Sequence, residues 1–275
     1  MTVGVVGLGL IGGSIVKAYH EAGHTVYAWN RSRTTLDFAM ISGEVDAELT
    51  EENVSECDLI VVCLYPKASI AWVERMAPHF GSKPLVTDAC GTKRDICEAC
   101  FKLAEEHGFT FVGGHPMGGT KDSGYKYSKP NMFNGVPMVI VPPRYDDIEL
   151  YARVKELLAP LKIGRYSITT AEDHDQMIAF TSQLSHLVAS SYIKSPAAER
   201  RGGFSGGTYK DMTRVAYLNA PMWAEIFISN KDCLTAELDS LIENLSKYRE
   251  AINEEDLSEL TELLAEGSRR KEELG

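Results

Sequence analysis

Val3-Gly4-Val5-Val6-Gly7-Leu8-Gly9-Leu10-Ile11-Gly12-Gly13-Ser14 opens the chain with an apolar run, a glycine turn and the start of a helical pattern. In that order the three spaced glycines have separate physical tasks. Gly7 permits a tight turn, Gly9 lets backbone approach an anion, and Gly12 allows helix and strand to pack closely. The helix start adds unpaired N–H groups and the positive end of a dipole, which together suit a pyrophosphate. Gly7, Leu8, Gly9, Leu10, Ile11 and Gly12 are therefore expected to hold a dinucleotide.

Outward from this turn, apolar runs at 3–6, 25–29, 59–64, 85–87, 110–113, 137–141 and 162–168 read as strands. Helix-like segments, including 12–21, 69–79 and 95–107, lie between several of them. Such alternation predicts an α/β fold with a Rossmann-type, doubly wound parallel sheet. Beyond residue 168 the strands stop, and 171–194, 220–248 and 254–273 carry helical periodicity. The expected organisation is a dinucleotide-binding domain over 1–170 and an all-α dimerisation and substrate domain over 171–275. In the long segment 220–248, Ile226, Leu234, Leu238, Leu241, Ile242 and Leu245 recur at helical spacing, as core or dimer contacts do. The glycine-rich 200–208 is expected to be a mobile loop.

The end of the second strand bears on the ribose. Dinucleotide folds that take NAD carry an acidic residue there, which accepts from the 2′-hydroxyl. This chain reads Trp29-Asn30-Arg31-Ser32-Arg33, with no carboxylate. Asn30 would not repel a 2′-phosphate and Arg31 or Arg33 can pair with one. The reading leans to NADP, with NAD as the alternative, and makes Asn30, Arg31, Ser32, Arg33 and Leu64, which closes the third strand, cofactor contacts.

The 275 residues carry a formal net charge of −11, with 44% hydrophobic and 24% charged residues. A negative surface argues against nucleic acid or an anionic membrane as partner, while a local cation still permits an anionic small molecule. No run approaches the roughly 20 apolar residues of a membrane span, and the N-terminus lacks the basic leader of a signal peptide. The six cysteines fit no secreted disulfide framework, and Cys97 and Cys100 have no second pair to complete a zinc site. No metal is expected, and the cytoplasm is the expected compartment.

Three further motifs lie where chemistry is expected: Thr87-Asp88-Ala89-Cys90-Gly91-Thr92-Lys93, Gly113-Gly114-His115-Pro116-Met117-Gly118-Gly119-Thr120, and Asp211-Met212-Thr213-Arg214. With the opening glycines, their order resembles the prephenate/arogenate dehydrogenase family of tyrosine biosynthesis. The likeness runs over nearly the whole chain. Its specific parts are 113–124 and 211–223. The resemblance implies an NAD(P)-dependent dehydrogenase that converts prephenate to 4-hydroxyphenylpyruvate by oxidative decarboxylation, and a homodimer.

Each matching position inherits an expected role. His115 matches the family's catalytic histidine, and imidazole titrates where it can accept a hydroxyl proton. Arg214 matches the arginine that grips a substrate carboxylate, a fork that lysine cannot imitate; the bland alternative is a surface ion pair with Asp211. Asp211 and Trp223 match positions that help build the pocket across the dimer. Counting twelve residues from His174 of the His174-Asp175 pair reaches His186, a substrate or product contact by alignment.

The chain also departs from the family's pattern. Gly91 stands where many members have a serine that bonds the catalytic histidine; the hydroxyl of Thr92 next door, counted as a substrate contact, or a water is the expected substitute. Gln183 stands where members often carry a histidine, and Lys121 where they often carry glutamate, at the mouth of the site. Arogenate is the alternative substrate. Another β-hydroxyacid-type or imine oxidoreductase and a non-catalytic dinucleotide sensor are the remaining alternatives, the first favoured if Arg214 faces solvent.

Overall fold

The computed structural model describes residues 1–120 and 122–275. Lys121, expected at the substrate, lies outside the described residues. The strands are β1 (Thr2–Val6), β2 (Thr25–Trp29), β3 (Ala47–Glu48), β4 (Leu59–Val62), β5 (Leu85–Asp88), β6 (Thr110–Pro116), β7 (Pro137–Val141) and β8 (Arg165–Ile168). They form one sheet in the order β3-β2-β1-β4-β5-β6-β7-β8. The doubly wound order around β1 is the expected Rossmann arrangement.

One expectation needs correcting. β7 runs antiparallel to β6, and β8 then lies parallel to β7. A parallel neighbour needs a crossover back to the start of the sheet. Among its described residues the connection after β6 holds a 3₁₀ turn at Tyr125–Tyr127 and no α-helix or strand, so the chain re-enters from the end it left. The two-residue β3 is too short to leave an alternation in the sequence.

Burial alternates along the strands and fills both faces. Val3, Val5, Leu59, Val61, Leu85 and Val112 face one layer, with α1 (Leu10–Glu21), α2 (Arg33–Ile41) and a later helix, Ile148–Leu157. Val6, Ile60, Val62, Val86 and Phe111 face the other, against α3 (Pro66–Phe80) and α4 (Arg94–His107). A sheet covered on both faces explains why these strands read as continuous apolar runs. The helix Ile148–Leu157 is α5; the side chain of Asp147 caps it by accepting from the Leu150 N–H at 2.9 Å.

After β8 the chain is helical. α6 (Ala171–Ile178) runs through a π-helical stretch, Ala179–Leu184, into α7 (Ser185–Tyr192). Then come α8 (Gly207–Thr213) and α9 (Ala220–Ser229). The glycine-rich 200–208 follows a 3₁₀ turn at Pro196–Arg200 and is turn and irregular backbone up to Gly206, with α8 beginning at Gly207. The single helix expected over 220–248 is two, because Asn230 stops α9. Its buried amide donates to the Asp175 carbonyl at 2.8 Å and to Gln183 at 3.0 Å, bonds that hold it out of a continuous helix.

Compactness divides the chain into Met1–Asn230 and Lys231–Gly275. The expected boundary near 170 marks the end of the strands, whereas helices up to α9 belong to the same compact unit as the sheet. The second unit is a helical hairpin of α10 (Lys231–Asn253) and α11 (Leu257–Leu274). Glu255 turns the chain at φ 55°, Asp256 caps α11 through the Glu259 N–H, and the Tyr248 hydroxyl donates to the Leu263 carbonyl at 3.0 Å.

Candidate active site

At the carboxyl end of β1 the backbone makes a cradle. Gly7 has φ 94°, and its N–H donates to the Trp29 carbonyl at 2.7 Å, which holds the turn against β2. A side chain at Gly12 would run into the Gly7 carbonyl oxygen, whereas one at Gly9 would meet open space. The residue that must be small for packing and the one whose surroundings are open are thus distinct. Gly9 starts α1 without a side-chain cap and there is no acid in the first turn, so the helix N–H groups stay available to an anion. This donor set fits a dinucleotide pyrophosphate.

Around the ribose end, Asn30 accepts from the Leu8 N–H at 2.8 Å and donates to the Ser32 carbonyl at 3.0 Å. Its amide therefore ties the glycine turn to the loop after β2. Arg33, expected to be open to a 2′-phosphate, is held by Asp37 at 2.7 Å and Glu48 at 2.5 Å. Arg31 is exposed on the same loop. Leu64 lies just past β4, with its side chain against the Gly7 turn.

The ends of β5 and β6 carry a chain of ionisable groups. Asp88 closes β5 wholly buried, accepts from the Gly114 N–H at 3.0 Å and the Cys90 N–H at 2.8 Å, and pairs with the equally buried Lys93. Burial alone would lower the Lys93 pKa, but Asp88 and the neighbouring thiols more than offset this and hold it above its ordinary value. One residue beyond Gly114, His115 Nδ1 lies 2.9 Å from His174 Nε2. His174 Nδ1 in turn lies 2.7 Å from Asp175 Oδ1. Asp175 also accepts the N–H groups of Lys93 at 2.7 Å and Arg94 at 3.0 Å.

These contacts fix charge states. Burial raises the Asp175 carboxyl pKa, but its bonds to His174 and to two backbone N–H groups outweigh that and leave it below its ordinary value. Burial holds His174 below the usual histidine value against the opposing pull of Asp175. His115 is pushed well down by burial, then by His174 and Lys93. Both imidazoles are neutral near pH 7, and a neutral imidazole is a proton acceptor.

His186 sits twelve residues after His174, a spacing that would turn it about 120° away on a regular α-helix. The π stretch absorbs one residue, so eleven effective residues make about three turns and both histidines share a face. His186 Nδ1 lies 2.8 Å from the Ser182 carbonyl, and its ring stacks on Trp223 with centroids 4.0 Å apart. Burial, then the charge of nearby Arg214, holds His186 below its ordinary pKa against the bond to Ser182. Arg214 opens a 3₁₀ turn, Arg214–Ala216, that packs on α7.

The structure thus gathers His186, Trp223 and Arg214 into one group and His115 with His174 into another. Arg214 is exposed in the single chain, and Asp211 is exposed on α8. Thr92, expected at the substrate, has its buried hydroxyl 3.3 Å from Ser229 Oγ, and the ring partner of His115 is His174. Gln183 is wholly buried and braces Asn230, behind Asp175, without facing solvent. Sequence reasoning used His174 only as a counting mark and passed over Asp175, Lys93 and Asn230. The adjacent His-Asp pair at a helix start was the one signal available.

Residues 14–166 match the family described as prephenate dehydrogenase, nucleotide-binding domain, and 170–266 match prephenate dehydrogenase, dimerization domain. Prephenate dehydrogenase of Bacillus subtilis (strain 168) is 27% identical over 273 residues, 94% of this chain and 72% of that protein. Among solved structures, Synechocystis arogenate dehydrogenase superposes with a TM-score of 0.82 at 26% identity, covering 100% of both chains. Prephenate dehydrogenase from A. aeolicus, in complex with hydroxyphenyl propionate and NAD+, gives 0.83 at 25% identity over 100% of this chain and 98% of that one. On fold, sequence and the order of its motifs, the chain belongs to the prephenate dehydrogenase family.

Proposed function

We propose that this dehydrogenase oxidises prephenate, with His115 as proton acceptor, Arg214 as carboxylate clamp and NAD as the preferred nucleotide. The observation that carries the reading is the position of a neutral imidazole, His115, near the carboxyl end of β6, on the sheet edge where β1 ends in the glycine cradle. Ligands of doubly wound sheets bind along that edge.

A dinucleotide would be held by the Gly7–Gly12 turn, Asn30 and Leu64, and its nicotinamide would supply a hydride acceptor. The chain's own task is the proton. His115 takes it from the C4 hydroxyl as that carbon gives up hydride. The ring carboxylate then leaves as carbon dioxide, and its bonding pair enters the ring. The carbonyl oxygen at C4 becomes a phenol by taking the proton back from His115. The proton count closes within the site, and the histidine is regenerated. Arg214 orients the anion by a bidentate grip, with His186 and Trp223 as neighbouring walls and Asp211 at the rim.

Arg33 is committed to Asp37 and Glu48, two carboxylates that would also repel a 2′-phosphate. That engagement favours NAD over the NADP expected from sequence. Exposed Ile242, Leu245, Ile252 and Leu264 on the hairpin, with the dimerisation-domain match, support a homodimer, checked by sedimentation of the full chain. No helix among the described residues is long and apolar enough to cross a membrane, and four of the six free thiols are buried; both fit a cytoplasmic enzyme.

The test is absorbance of reduced nicotinamide with prephenate or arogenate and NAD or NADP. Prephenate with NAD should give the highest kcat/KM. Turnover in none of the four combinations would overturn the function, and a preference for arogenate would replace the substrate alone.

A further inference from the structure

A neutral histidine has two tautomers, and only one of them makes His115 a base toward the substrate. The contact chain that ends at Asp175 selects one of them. Asp175 is an ionised acceptor fixed by two backbone N–H groups, so the ring nitrogen of His174 that faces it, Nδ1, carries the proton. His174 is neutral and has only that one proton. Its Nε2 is therefore a bare acceptor, and the atom opposite, His115 Nδ1, has to be the donor. With its single proton there, His115 exposes a lone pair at Nε2.

We propose that His174, anchored by Asp175, is a positioning residue that sets the tautomer of His115 and presents its Nε2 as the proton acceptor for the substrate hydroxyl. This inference rests on His115 being that acceptor. As the proton arrives, positive charge on His115 is shared toward His174 and met by the Asp175 carboxylate, an orientation logic known from other acid–histidine pairs. The arrangement is braced from several sides: Asn230 holds the Asp175 carbonyl, and the Arg94 guanidinium reaches both Asp175 Oδ2 at 3.3 Å and Asn230 Oδ1 at 2.8 Å. The π stretch that follows α6 lets the same helix present His174 to the sheet edge and His186 to Arg214 on one face.

The charged groups around the two imidazoles are Asp88 at the end of β5, Lys93 and Arg94 at the start of α4, and Asp175 on α6 itself. The full-length chain is labelled with ¹⁵N-histidine, and two variants are made: His174→Phe, which keeps a ring but no acceptor, and His174→Gln, whose carbonyl can accept from His115. Wild type should show His115 protonated at Nδ1 and bare at Nε2. In His174→Phe that signature should move toward the opposite tautomer, with kcat down about 10- to 100-fold, KM for NAD unchanged and the acid limb of the pH profile displaced. His174→Gln should recover most of kcat. A wild-type spectrum with the proton on Nε2 would overturn the proposal, as would a folded His174→Phe with wild-type kcat and pH profile. Should His174→Phe not fold, the wild-type spectrum and His174→Gln decide. His115→Ala separates the two readings: full activity there removes the acceptor role itself, whereas an inactive His115→Ala beside a fully active His174→Phe removes only the relay.

Discussion

The two ends of the site are built from different materials. At the nucleotide end the working atoms belong to the backbone: Gly7 turns it, Gly12 lets it pack, and the start of α1 offers its N–H groups. At the proposed substrate end the working atoms would be side chains from β6, the α6–α7 helix and the turn after α8, set by contacts between residues far apart in sequence. A backbone device is written locally and tolerates almost no change of side chain. A side-chain device is assembled late, and its parts can be exchanged one at a time.

The sharpest way to break the comparison is therefore Gly12→Val. Its branched side chain meets the Gly7 carbonyl, part of the turn itself, and nothing flexible can yield. Nucleotide binding, followed by calorimetry or quenching of tryptophan fluorescence, should fall below detection, with a clear drop in Tm. Wild-type affinity in this variant would mean that the turn is not the pyrophosphate cradle.

His115→Ala comes next and should separate binding from chemistry. A missing proton acceptor costs about 10²–10⁴-fold in kcat, while NAD affinity should stay within a few-fold, since His115 lies on β6 and the cradle on β1. In the unaltered chain the base is held well below the ordinary histidine range, so kcat/KM should stay flat through neutral pH and fall only as the solution becomes distinctly acidic. The sign follows from the neutral form being the active one. An acid limb centred near 6.5 would contradict the burial of this ring. Loss confined to nucleotide binding would contradict its role.

That asymmetry also explains what was legible in the sequence. Seven of the eight strands announced themselves because both sheet faces are apolar, and the glycine turn stood out because its job is done by residue type within six positions. Nothing local marks β7 as reversed, since direction depends on how the chain returns and not on what the strand contains. The His174–His115 contact spans 59 residues, and the buried Lys93–Asp88 pair looks like ordinary surface charge until the fold closes over it. Helical periodicity likewise ran through Asn230 and through the π stretch, because both interruptions are made by tertiary hydrogen bonds and register rather than by a breaker residue. The Thr92–Ser229 contact, 137 residues apart in sequence, is equally invisible locally.

Arg214→Ala sharpens the substrate end with a smaller effect. A charge-assisted pair contributes about 1.5–3 kcal/mol, which corresponds to about a 10- to 100-fold rise in KM for prephenate. The change should leave KM for NAD untouched. Equal loss for both substrates would place Arg214 in folding, not recognition, and no loss would leave its exposed guanidinium without a task.

The smallest expected effect lies back at the nucleotide end, where a side chain does intrude on the backbone device. Arg33 bridges Asp37 and Glu48, both more than a third exposed, so the pair is solvent-screened and each partner is replaceable at low cost. Glu48→Gln removes one hold and one negative charge together. Freed, Arg33 can swing toward a 2′-phosphate, and the repulsion that phosphate meets is reduced. An exposed ion pair contributes at most about 1 kcal/mol, so kcat/KM with NADP should rise about two- to fivefold while the value with NAD stays constant. A parallel rise with both nucleotides would point to a general change in the loop after β2, and no change would show that Arg33 does not reach the ribose, leaving Arg31 as the only arginine of that loop still to be tested.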